Sequence, residues 1–226
     1  MIKQYDIAIL GGGPGGYVTA IRAAQLGFKT VVIDKENLGG ICLNWGCIPT
    51  KSLLRNADIY DTIKNHSDEF GITVKGVAYD FGKVIKRSRN ISEKITKNVE
   101  LLVKKNKVDR IKGFGKLISR NQISVFDENQ KEIEVVEASK IIIATGARPR
   151  ILPNIPVDHK MIITSSEAMN LSEQPKELII IGAGAIGIEF AYFYSVFGTK
   201  VTVIEMMEQI LPIEDKEVSE LLAKNF

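Results

Sequence analysis

The sequence contains few cysteines, few histidines and few aromatic residues. Among its 226 residues there are two cysteines and two histidines, and aromatic residues make up 7%. Two cysteines cannot build a disulfide-stabilised scaffold, and a structural zinc site needs about four ligands. The histidines, His66 and His159, lie in unrelated polar segments. We therefore expect both at the surface and predict no metal site.

The sequence also lacks a strong excess of charge of either sign. It has 30 basic and 27 acidic residues, for a formal net charge of +3, which argues against a nucleic-acid-binding surface. No basic stretch leads into a long apolar segment with a cleavage site, so we expect no signal peptide and either a cytoplasmic protein or a processed one. Apolar residues, at 45%, are numerous enough to exclude a disordered chain.

One apolar stretch, Leu178–Gly198, has the hydropathy of a membrane span, because it carries a single charge, Glu189. Glycines interrupt this stretch at a defined spacing, and a strand-like run, Lys200–Glu205, follows at once. We therefore predict a strand, a glycine turn, a buried helix and a second strand here, and no membrane segment.

Apolar periodicity and turn residues predict alternating strands and helices. Buried strands are expected at residues 5–10, 30–34, 140–144, 178–181 and 201–205, and a small antiparallel meander at 108–135. Helices are expected at residues 14–26, 49–64, 83–104 and 185–197, with the opening turns of another at 218–226, where the chain is expected to stop within the helix. Residues 39–49 are expected to be irregular.

The N-terminal strand and helix enclose a Gly-x-Gly-x-x-Gly pattern at Gly11, Gly13 and Gly16. The first glycine permits the tight turn, the second lets the backbone approach a pyrophosphate, and the third lets the helix pack on the strand. The N-terminus of the helix attracts the phosphate charge. Asp34 ends the next strand, 23 residues after Gly11, where a carboxylate can accept ribose hydroxyls.

The same pattern recurs at Gly182, Gly184 and Gly187, and Glu205 again lies 23 residues after the first glycine. One copy is weak evidence, since such a turn can exist without a ligand, but two copies in the same context favour two dinucleotide sites. Glu205 would bind a free 2′-hydroxyl and repel a 2′-phosphate, and residues 206–210 contain no Arg or Lys. The sequence therefore favours NAD over NADP.

The two cysteines, Cys42 and Cys47, lie five residues apart. In a reducing compartment such a pair suggests redox or metal chemistry, although two unpaired core cysteines remain the alternative. Residues i and i+5 of a regular helix are about 140° apart around its axis. If the two sulfurs form a disulfide, residues 42–47 therefore cannot form a regular helix. Gly46 permits a distorted turn, and Pro49 places the start of a helix just beyond Cys47. That position, with Lys51 one turn further, would stabilise a thiolate.

The segment Gly39–Leu54 resembles the active-disulfide segment of the pyridine nucleotide–disulfide oxidoreductases. The residues around the cysteines, Leu43-Asn44, Ile48-Pro49 and Lys51–Leu54, make it most similar to the dihydrolipoyl dehydrogenases within that family. Glutathione and mercuric reductases share the cysteine spacing but usually differ in these flanking residues. The resemblance extends over the whole chain. It implies an α/β fold with two Rossmann-like dinucleotide-binding domains, an FAD-binding domain at residues 1–148 and an incomplete NAD-binding domain at 149–226.

The resemblance also implies roles for individual residues. Cys42 would exchange with a dithiol substrate, and Cys47 would face the flavin as a thiolate. The residues implied to contact FAD are Gly11, Gly13, Pro14, Gly15, Gly16, Asp34, Lys35, Lys51, Gly115, Thr145 and Gly146. The residues implied at the NAD site are Gly182, Gly184, Ile186, Gly187, Glu189 and Glu205.

The activity implied by the resemblance is flavin-dependent oxidation of protein-bound dihydrolipoamide to lipoamide with reduction of NAD, in the service of cell redox homeostasis. The partners would be lipoyl domains of 2-oxo acid dehydrogenase complexes and a second copy in a homodimer, with no nucleic acid and no membrane. The alternatives are another flavin disulfide reductase, or a non-catalytic dinucleotide-binding fragment.

The sequence departs from the family pattern in two residues and in length. Ile41 stands where Thr is usual and Asp34 where Glu is usual, and we expect both to tune FAD contacts rather than abolish them. Family members continue into a C-terminal interface domain that supplies a His–Glu acid/base pair. No residue here matches that pair, so we expect the chain alone to lack turnover.

Overall fold

The computed structural model describes residues 2–226, which form two compact units. The first unit comprises the residues up to 48 together with residues 90–150, and the second comprises residues 49–89 and 151–226. The border near residue 150 lies close to the one expected at residue 148, but the segment 49–89 groups with the C-terminal residues. The expected limits, 1–148 and 149–226, therefore differ from the observed units by this segment.

The first unit is built on a six-stranded sheet with the order β3-β2-β1-β6-β5-β4. Its strands are β1 (Lys3–Leu10), β2 (Thr30–Asp34), β3 (Asp109–Lys112), β4 (Phe114–Leu117), β5 (Gln122–Phe126) and β6 (Glu132–Ile143). Strands β3, β2, β1 and β6 are parallel, whereas β5 pairs antiparallel with β6 and with β4. The C-terminal ends of neighbouring parallel strands lie at the same edge of a sheet. The turns that follow β1, β2 and β6 therefore lie side by side at that edge.

Two expectations for this sheet were wrong. The first strand of the expected meander, β3, pairs parallel with β2 rather than antiparallel with its successor. The strand expected at residues 140–144 is the end of the twelve-residue β6, which pairs antiparallel with β5 in its first half and parallel with β1 along most of its length. Charged residues such as Glu137 and Lys140 interrupt the apolar pattern of β6, and residue patterns do not encode the direction of pairing.

Helices α1 (Pro14–Gln25), α2 (Gly40–Trp45), α3 (Cys47–Asn65) and α4 (Phe81–Lys105) follow in chain order. Helix α1 begins with Pro14, which suits the first helical position. Within the first unit, Val99 and Val103 of α4 are buried with Ile9 and Val32 of the sheet. Val99 and Val103 lie four residues apart, which places them on one face of α4.

Residues 39–49, expected to be irregular, instead contain α2 and the start of α3. Helix α2 is only six residues long and begins at the second of two consecutive glycines, so it has little helical signal of its own. Helix α3 begins at Cys47, two residues before the expected start at Pro49. Gly46, where a distorted turn was expected, lies between the two helices.

The second unit contains a two-stranded parallel sheet of β7 (Glu177–Ile181) and β8 (Lys200–Ile204). Its further helices are α5 (Ser165–Ala168), α6 (Ala185–Val196) and α7 (Lys216–Ala223), and residues Ser67–Phe70 form a 3-10 turn. Helix α7 ends at Ala223 and does not continue to residue 226. Aromatic rings form the core: Phe193 and Tyr194 of α6 are fully buried, and Tyr60 of α3 stacks on Phe197 with ring centres 5.2 Å apart.

The apolar stretch Leu178–Gly198 divides into β7, a glycine turn and α6, as its glycine spacing predicted. Between residues 2 and 226, no helix has both the length and the apolar character needed to cross a membrane.

Candidate functional site

The first glycine turn connects β1 to α1 at the edge of the sheet where parallel strands end. Gly11 has φ +108°, and a Cβ atom there would lie 2.1 Å from the carbonyl oxygen of Ala144. A Cβ atom at Gly16 would lie 1.8 Å from the carbonyl oxygen of Gly11. The fold itself therefore requires glycine at both positions, because a side chain at either one would push α1 or β6 away from β1.

Gly13 differs from these two glycines. Its φ is −69°, and the only atom near a Cβ built there is the Cα of Gly40, at an ordinary 3.7 Å. Gly13 caps α1 without any side-chain hydrogen bond, and the first turn of α1 contains no acidic residue. Pro14 and Gly15 are exposed. The N-terminus of α1 thus offers backbone N–H groups and a partial positive charge to an anion.

Asp34, at the end of β2, is held by the neighbouring backbone. The Gly12 N–H donates to Oδ2 of Asp34, and the Glu36 N–H donates to Oδ1 at 2.8 Å. A carboxylate has about four acceptor sites, so roughly two remain for ribose hydroxyls. A Cβ atom at Gly12 would lie 3.2 Å from both Cβ and Oδ2 of Asp34, so the lack of a side chain at this variable position of the sequence pattern lets Asp34 pack closely against the turn.

The remaining residues implied at the FAD site lie in the same unit, apart from Lys51. Thr145 and Gly146 follow β6, next to the end of β1, and both are exposed. Gly115, in β4, packs against Leu10 and has no room for a side chain, since a Cβ atom would lie 2.3 Å from Leu10 Cδ1. The Lys35 side chain is 53% exposed, and its Nζ atom lies 3.9 Å from Oε1 of Glu36. The first unit therefore collects these positions around the turns at one sheet edge.

The second glycine turn, between β7 and α6, repeats the first in detail. Gly182 has φ +106°, and a Cβ atom at Gly187 would lie 2.0 Å from the carbonyl oxygen of Gly182. Gly184 has φ −70°, caps α6 without a side-chain hydrogen bond, and has open space where a Cβ atom would lie. Ile186 is 60% exposed in the first turn of α6. Gly182 is thus required by its backbone conformation and Gly187 by packing, whereas neither requires glycine at residue 184.

Glu205, just after β8, accepts three backbone hydrogen bonds. Ala183 N–H donates to its Oε2 at 2.8 Å, and the N–H groups of Met206 and Met207 donate to Oε1 at 2.8 and 2.9 Å. The bonds from Met207, Ala183 and Met206 favour the carboxylate and hold the pKa of Glu205 below its usual range. The side chain is thus anionic at neutral pH, with about one acceptor site left for a ribose hydroxyl.

Each of the two turns accepts an equivalent backbone hydrogen bond from a later segment of its own unit. In the first, the residue between the first two glycines, Gly12, accepts a hydrogen bond from Gly39 N–H at 2.8 Å; in the second, Ala183 accepts one from Leu211 N–H at 2.8 Å. In each unit a segment beyond the acidic residue therefore folds back onto the glycine turn. The repeat recognised in the sequence extends to these supporting contacts.

The cysteines lie on two different helices. Cys42 belongs to α2, is half-buried, and packs against the apolar core of the first unit. Cys47 is exposed and is the first residue of the nineteen-residue α3. Gly46 allows the break between them, since a Cβ atom there would lie 2.9 Å from the carbonyl oxygen of Ile41. The pairing of the two sulfurs remains a prediction.

The first residue of helix α2 packs directly against the first glycine turn. A Cβ atom at Gly40, which has φ +55°, would lie 2.6 Å from the Cα of Gly13. The backbone that leads into the cysteine segment is therefore in close contact with the turn that faces the expected pyrophosphate. Glycine at residue 40 is required for this approach.

In the second unit, Lys51 of α3 forms an ion pair with Glu189 of α6. The side chain of Lys51 is 59% exposed and that of Glu189 is 28% exposed. The family resemblance implies that Lys51 lies at the FAD site and Glu189 at the NAD site. Nothing in the sequence predicted that the two residues contact each other. Their roles toward those cofactors remain predictions.

Sequence reasoning missed a set of buried polar residues on α4 and their hydrogen-bond partners. Asn44 and Thr96 are hydrogen-bonded to each other in the first unit, and in the second unit the fully buried Ser88 donates to the Pro49 carbonyl at 2.9 Å. The available signal was the four-residue spacing of Ser88, Ser92 and Thr96 along the apolar face of α4. His66 and His159 are exposed, as expected, and residues 2–226 contain no cluster of His, Cys, Asp and Glu placed to hold a metal ion.

Comparisons with known proteins agree along the length of the chain. Residues 5–226 match the family model described as pyridine nucleotide-disulphide oxidoreductase. A dihydrolipoyl dehydrogenase of Zymomonas mobilis is 49% identical, with 100% of this chain and 48% of the relative aligned. One from Bacillus subtilis is 47% identical, with 97% and 48% aligned, and a mitochondrial one from Pisum sativum is 45% identical, with 95% and 43% aligned.

Among solved structures, the Cu(II) complex of the HOCl-induced flavoprotein disulfide reductase RclA from Escherichia coli is similar to this chain, with a TM-score of 0.81 and 29% identity. The alignment covers 100% of this chain and 47% of that one. The chain thus spans about half the length of the curated relatives and of the solved structure that it matches.

Proposed function

The chain belongs to the pyridine nucleotide-disulphide oxidoreductase family, which implies bound FAD, and from this premise we propose that it takes part in the dihydrolipoyl dehydrogenase reaction. In that reaction a protein-bound dihydrolipoamide is oxidised to lipoamide and NAD is reduced. The curated relatives that are 45–49% identical carry the name of this activity. The proposal assigns FAD to the first unit and NAD to the second.

The observation that carries the proposal is the pair of middle glycines, Gly13 and Gly184. Both have an ordinary backbone conformation, and neither would bring a Cβ atom closer than 3.7 Å to another residue. The protein itself therefore has no need of glycine at these positions. A ligand whose pyrophosphate approaches the backbone there does need it, because a Cβ atom would separate the phosphate from the helix N-terminus.

The two acidic residues suit the riboses of these cofactors. Asp34 and Glu205 each accept backbone hydrogen bonds from their own glycine turn and keep acceptor capacity for hydroxyl groups. The anionic Glu205 would repel a 2′-phosphate, and the residues that follow it supply no Arg or Lys to bind one. These features support NAD rather than NADP at the second unit.

The cysteines would carry the thiol chemistry. One substrate thiolate attacks the Cys42 sulfur of a Cys42–Cys47 disulfide, which forms a mixed disulfide and releases Cys47 as a thiolate at the N-terminus of α3. The second substrate thiol then displaces Cys42, so that the substrate loses two electrons and two protons and the cysteine pair gains them. FAD, when bound, supplies the two-electron carrier between this pair and NAD.

The wider setting is proposed on the same grounds. The dithiol would be carried by lipoyl domains of 2-oxo acid dehydrogenase complexes, and the full-length relatives suggest a homodimer. We propose a cytoplasmic role in redox homeostasis. A second candidate is reduction of a different disulfide or related substrate by the same centre, which the likeness to a flavoprotein disulfide reductase favours.

The proposal is tested by absorbance spectra of the purified chain after incubation with FAD and desalting. We expect a flavin spectrum, and a new long-wavelength band once dihydrolipoamide reduces the cysteine pair. A Cys42→Ser variant should retain the flavin but fail to exchange with the dithiol. If the wild-type protein remains colourless, the FAD assignment is wrong. If the reduced protein transfers electrons to oxidised glutathione or another disulfide but not to lipoamide, the second candidate replaces the first.

A further inference from the structure

Helix α2, which carries Cys42, contains a buried amide side chain at its penultimate residue. Asn44 is 7% exposed. Its Nδ2 donates to the carbonyl oxygen of Leu38 at 3.1 Å and to that of Gly40 at 2.8 Å. Both N–H groups of the amide are thus used on backbone that precedes or begins the helix, so the side chain ties the entry of α2 to its end.

The oxygen of the same amide is engaged by another helix. Thr96 of α4 is 7% exposed, and its hydroxyl donates to Asn44 Oδ1 at 3.2 Å. Asn44 therefore links the backbone around Gly39 to α4 through three hydrogen bonds. Removing any of these hydrogen bonds is costly, because the buried polar group that loses its partner cannot bind water instead.

This link is needed because α2 cannot hold its own shape. Isolated helices shorter than about 12 residues are marginal in water, and α2 has six residues, preceded by Gly39 at φ +93°. The carbonyl groups bound by Asn44 flank Gly39, and Gly40 touches the first glycine turn at Gly13. The same side chain therefore fixes the helix of Cys42 and its contact with that turn.

We propose that Asn44 and Thr96 are positioning residues, which hold α2 against the first glycine turn and thereby set the exposure of Cys42 and its alignment with Cys47. The effect on the alignment rests on the redox role given to the cysteines under the proposed function. The effect on exposure does not, because it concerns only the folded chain.

The first test measures alkylation of the fully reduced chain by iodoacetamide, with the rates at Cys42 and Cys47 separated by peptide mass spectrometry. Thr96→Val preserves the shape of the side chain and removes the hydroxyl donor. Loss of a bond of this kind corresponds to about a two- to tenfold change in an equilibrium. We expect the Cys42/Cys47 rate ratio to rise by about that factor, because α2 opens more often and Cys47 is already exposed.

Two variants serve as controls for this ratio. Thr96→Ser keeps the hydroxyl and should restore a ratio close to that of the wild type. Thr30→Val removes a buried hydroxyl from the same unit, one that donates to the Phe28 carbonyl at 3.0 Å, and should leave the ratio unchanged. An unchanged ratio in Thr96→Val, or an equal rise in Thr30→Val, overturns the proposal.

A double variant, Asn44→Leu with Thr96→Val, removes the whole side-chain link, including the bonds to the Leu38 and Gly40 carbonyls. It should unfold cooperatively at a lower urea concentration than the wild type, and in its folded state it should show an alkylation ratio at least as high as that of Thr96→Val. A wild-type ratio in this folded variant contradicts the proposal.

The second test measures the equilibrium between the cysteine pair and glutathione, in which the dithiol and oxidised glutathione give the protein disulfide and two reduced glutathiones. We expect the equilibrium constant for disulfide formation to fall about two- to tenfold in Thr96→Val and to recover in Thr96→Ser. Failure of the wild-type protein to form the disulfide would refute the redox role of the cysteines, and the alkylation ratio would still decide whether Asn44 and Thr96 position α2.

Discussion

At the scale of single residues, the two glycine turns separate glycines that the fold requires from glycines that a ligand requires. Gly11 and Gly16 have no space for a side chain, because carbonyl oxygens lie within about 2 Å of their Cβ positions. Gly13 has both space and an ordinary backbone conformation. The residue identities are the same, and only their surroundings show which role each one has.

This difference predicts opposite results for two substitutions. Gly13→Ala should change the free energy of unfolding by only about 0.5 kcal/mol but weaken FAD binding at least about tenfold, since the pyrophosphate can no longer approach the backbone. Gly11→Ala should destabilise the protein by about 3 kcal/mol, through strain and a clash. Urea unfolding and flavin titration measure the two effects. Equal loss of stability in both variants would contradict the distinction.

Glu205 gives a prediction that depends on pH. Hydrogen bonds from Met207, Ala183 and Met206 hold its pKa below the usual 4.5, so its carboxylate stabilises the folded state at pH values above the unfolded pKa. That contribution is lost as the pH falls through the folded pKa. The difference in unfolding free energy between wild type and Glu205→Gln should be constant above about pH 5.5 and shrink below about pH 4.5. A difference that grows on acidification would show that these bonds do not favour the carboxylate.

At the scale of secondary-structure elements, the cysteine segment consists of two helices separated by Gly46. Helix α3 presents Cys47 at its N-terminus, whereas α2 places Cys42 against the core and is held by Asn44. The sequence predicted a distorted turn at Gly46 and a helix N-terminus near Cys47. It did not predict α2, because that helix depends on side-chain contacts with α4, which local propensity does not contain.

Gly46→Ala tests the break between these helices. A Cβ atom would lie 2.9 Å from the Ile41 carbonyl oxygen and 3.1 Å from its Cγ2 atom, so α2 must shift. We expect a loss of about 1–3 kcal/mol in urea unfolding, as for other overpacked sites, and slower disulfide formation with oxidised glutathione. Gly15→Ala is the matched control, since its Cβ atom would make only an ordinary 3.9 Å contact. Wild-type stability of Gly46→Ala would show that the break tolerates a side chain.

At the scale of the whole molecule, the two units repeat one plan with different degrees of burial. The first surrounds its glycine turn with a six-stranded sheet, whereas the second has two parallel strands, β7 and β8. Ile179, Ile181 and Ile204 of this small sheet are 65%, 54% and 51% exposed. Apolar side chains gathered on one sheet favour association between molecules.

The chain should therefore aggregate through β7, and substitutions on its exposed face should reduce this. Ile179→Thr combined with Ile181→Thr keeps β-branched residues in the strand and should lower light scattering at a given concentration without a large loss of stability. Ile180→Thr is the control: its side chain is half-buried on the other face, so it should reduce stability and leave the scattering high. Equal scattering by all three proteins would exclude β7 as the site of association.

The sequence by itself determined the α/β class, the repeated strand–turn–helix unit, both glycine turns with their acidic residues, and the cysteine pair. These features depend on local chemistry: on periodicity, on the conformational freedom of glycine, and on residue types at fixed spacing. Only the tertiary structure decided the parallel pairing of β3, the continuity of β6, the formation of α2, and the Lys51–Glu189 and Asn44–Thr96 contacts. Each of these joins residues distant in the chain, and their free energy exists only once the fold has brought them together.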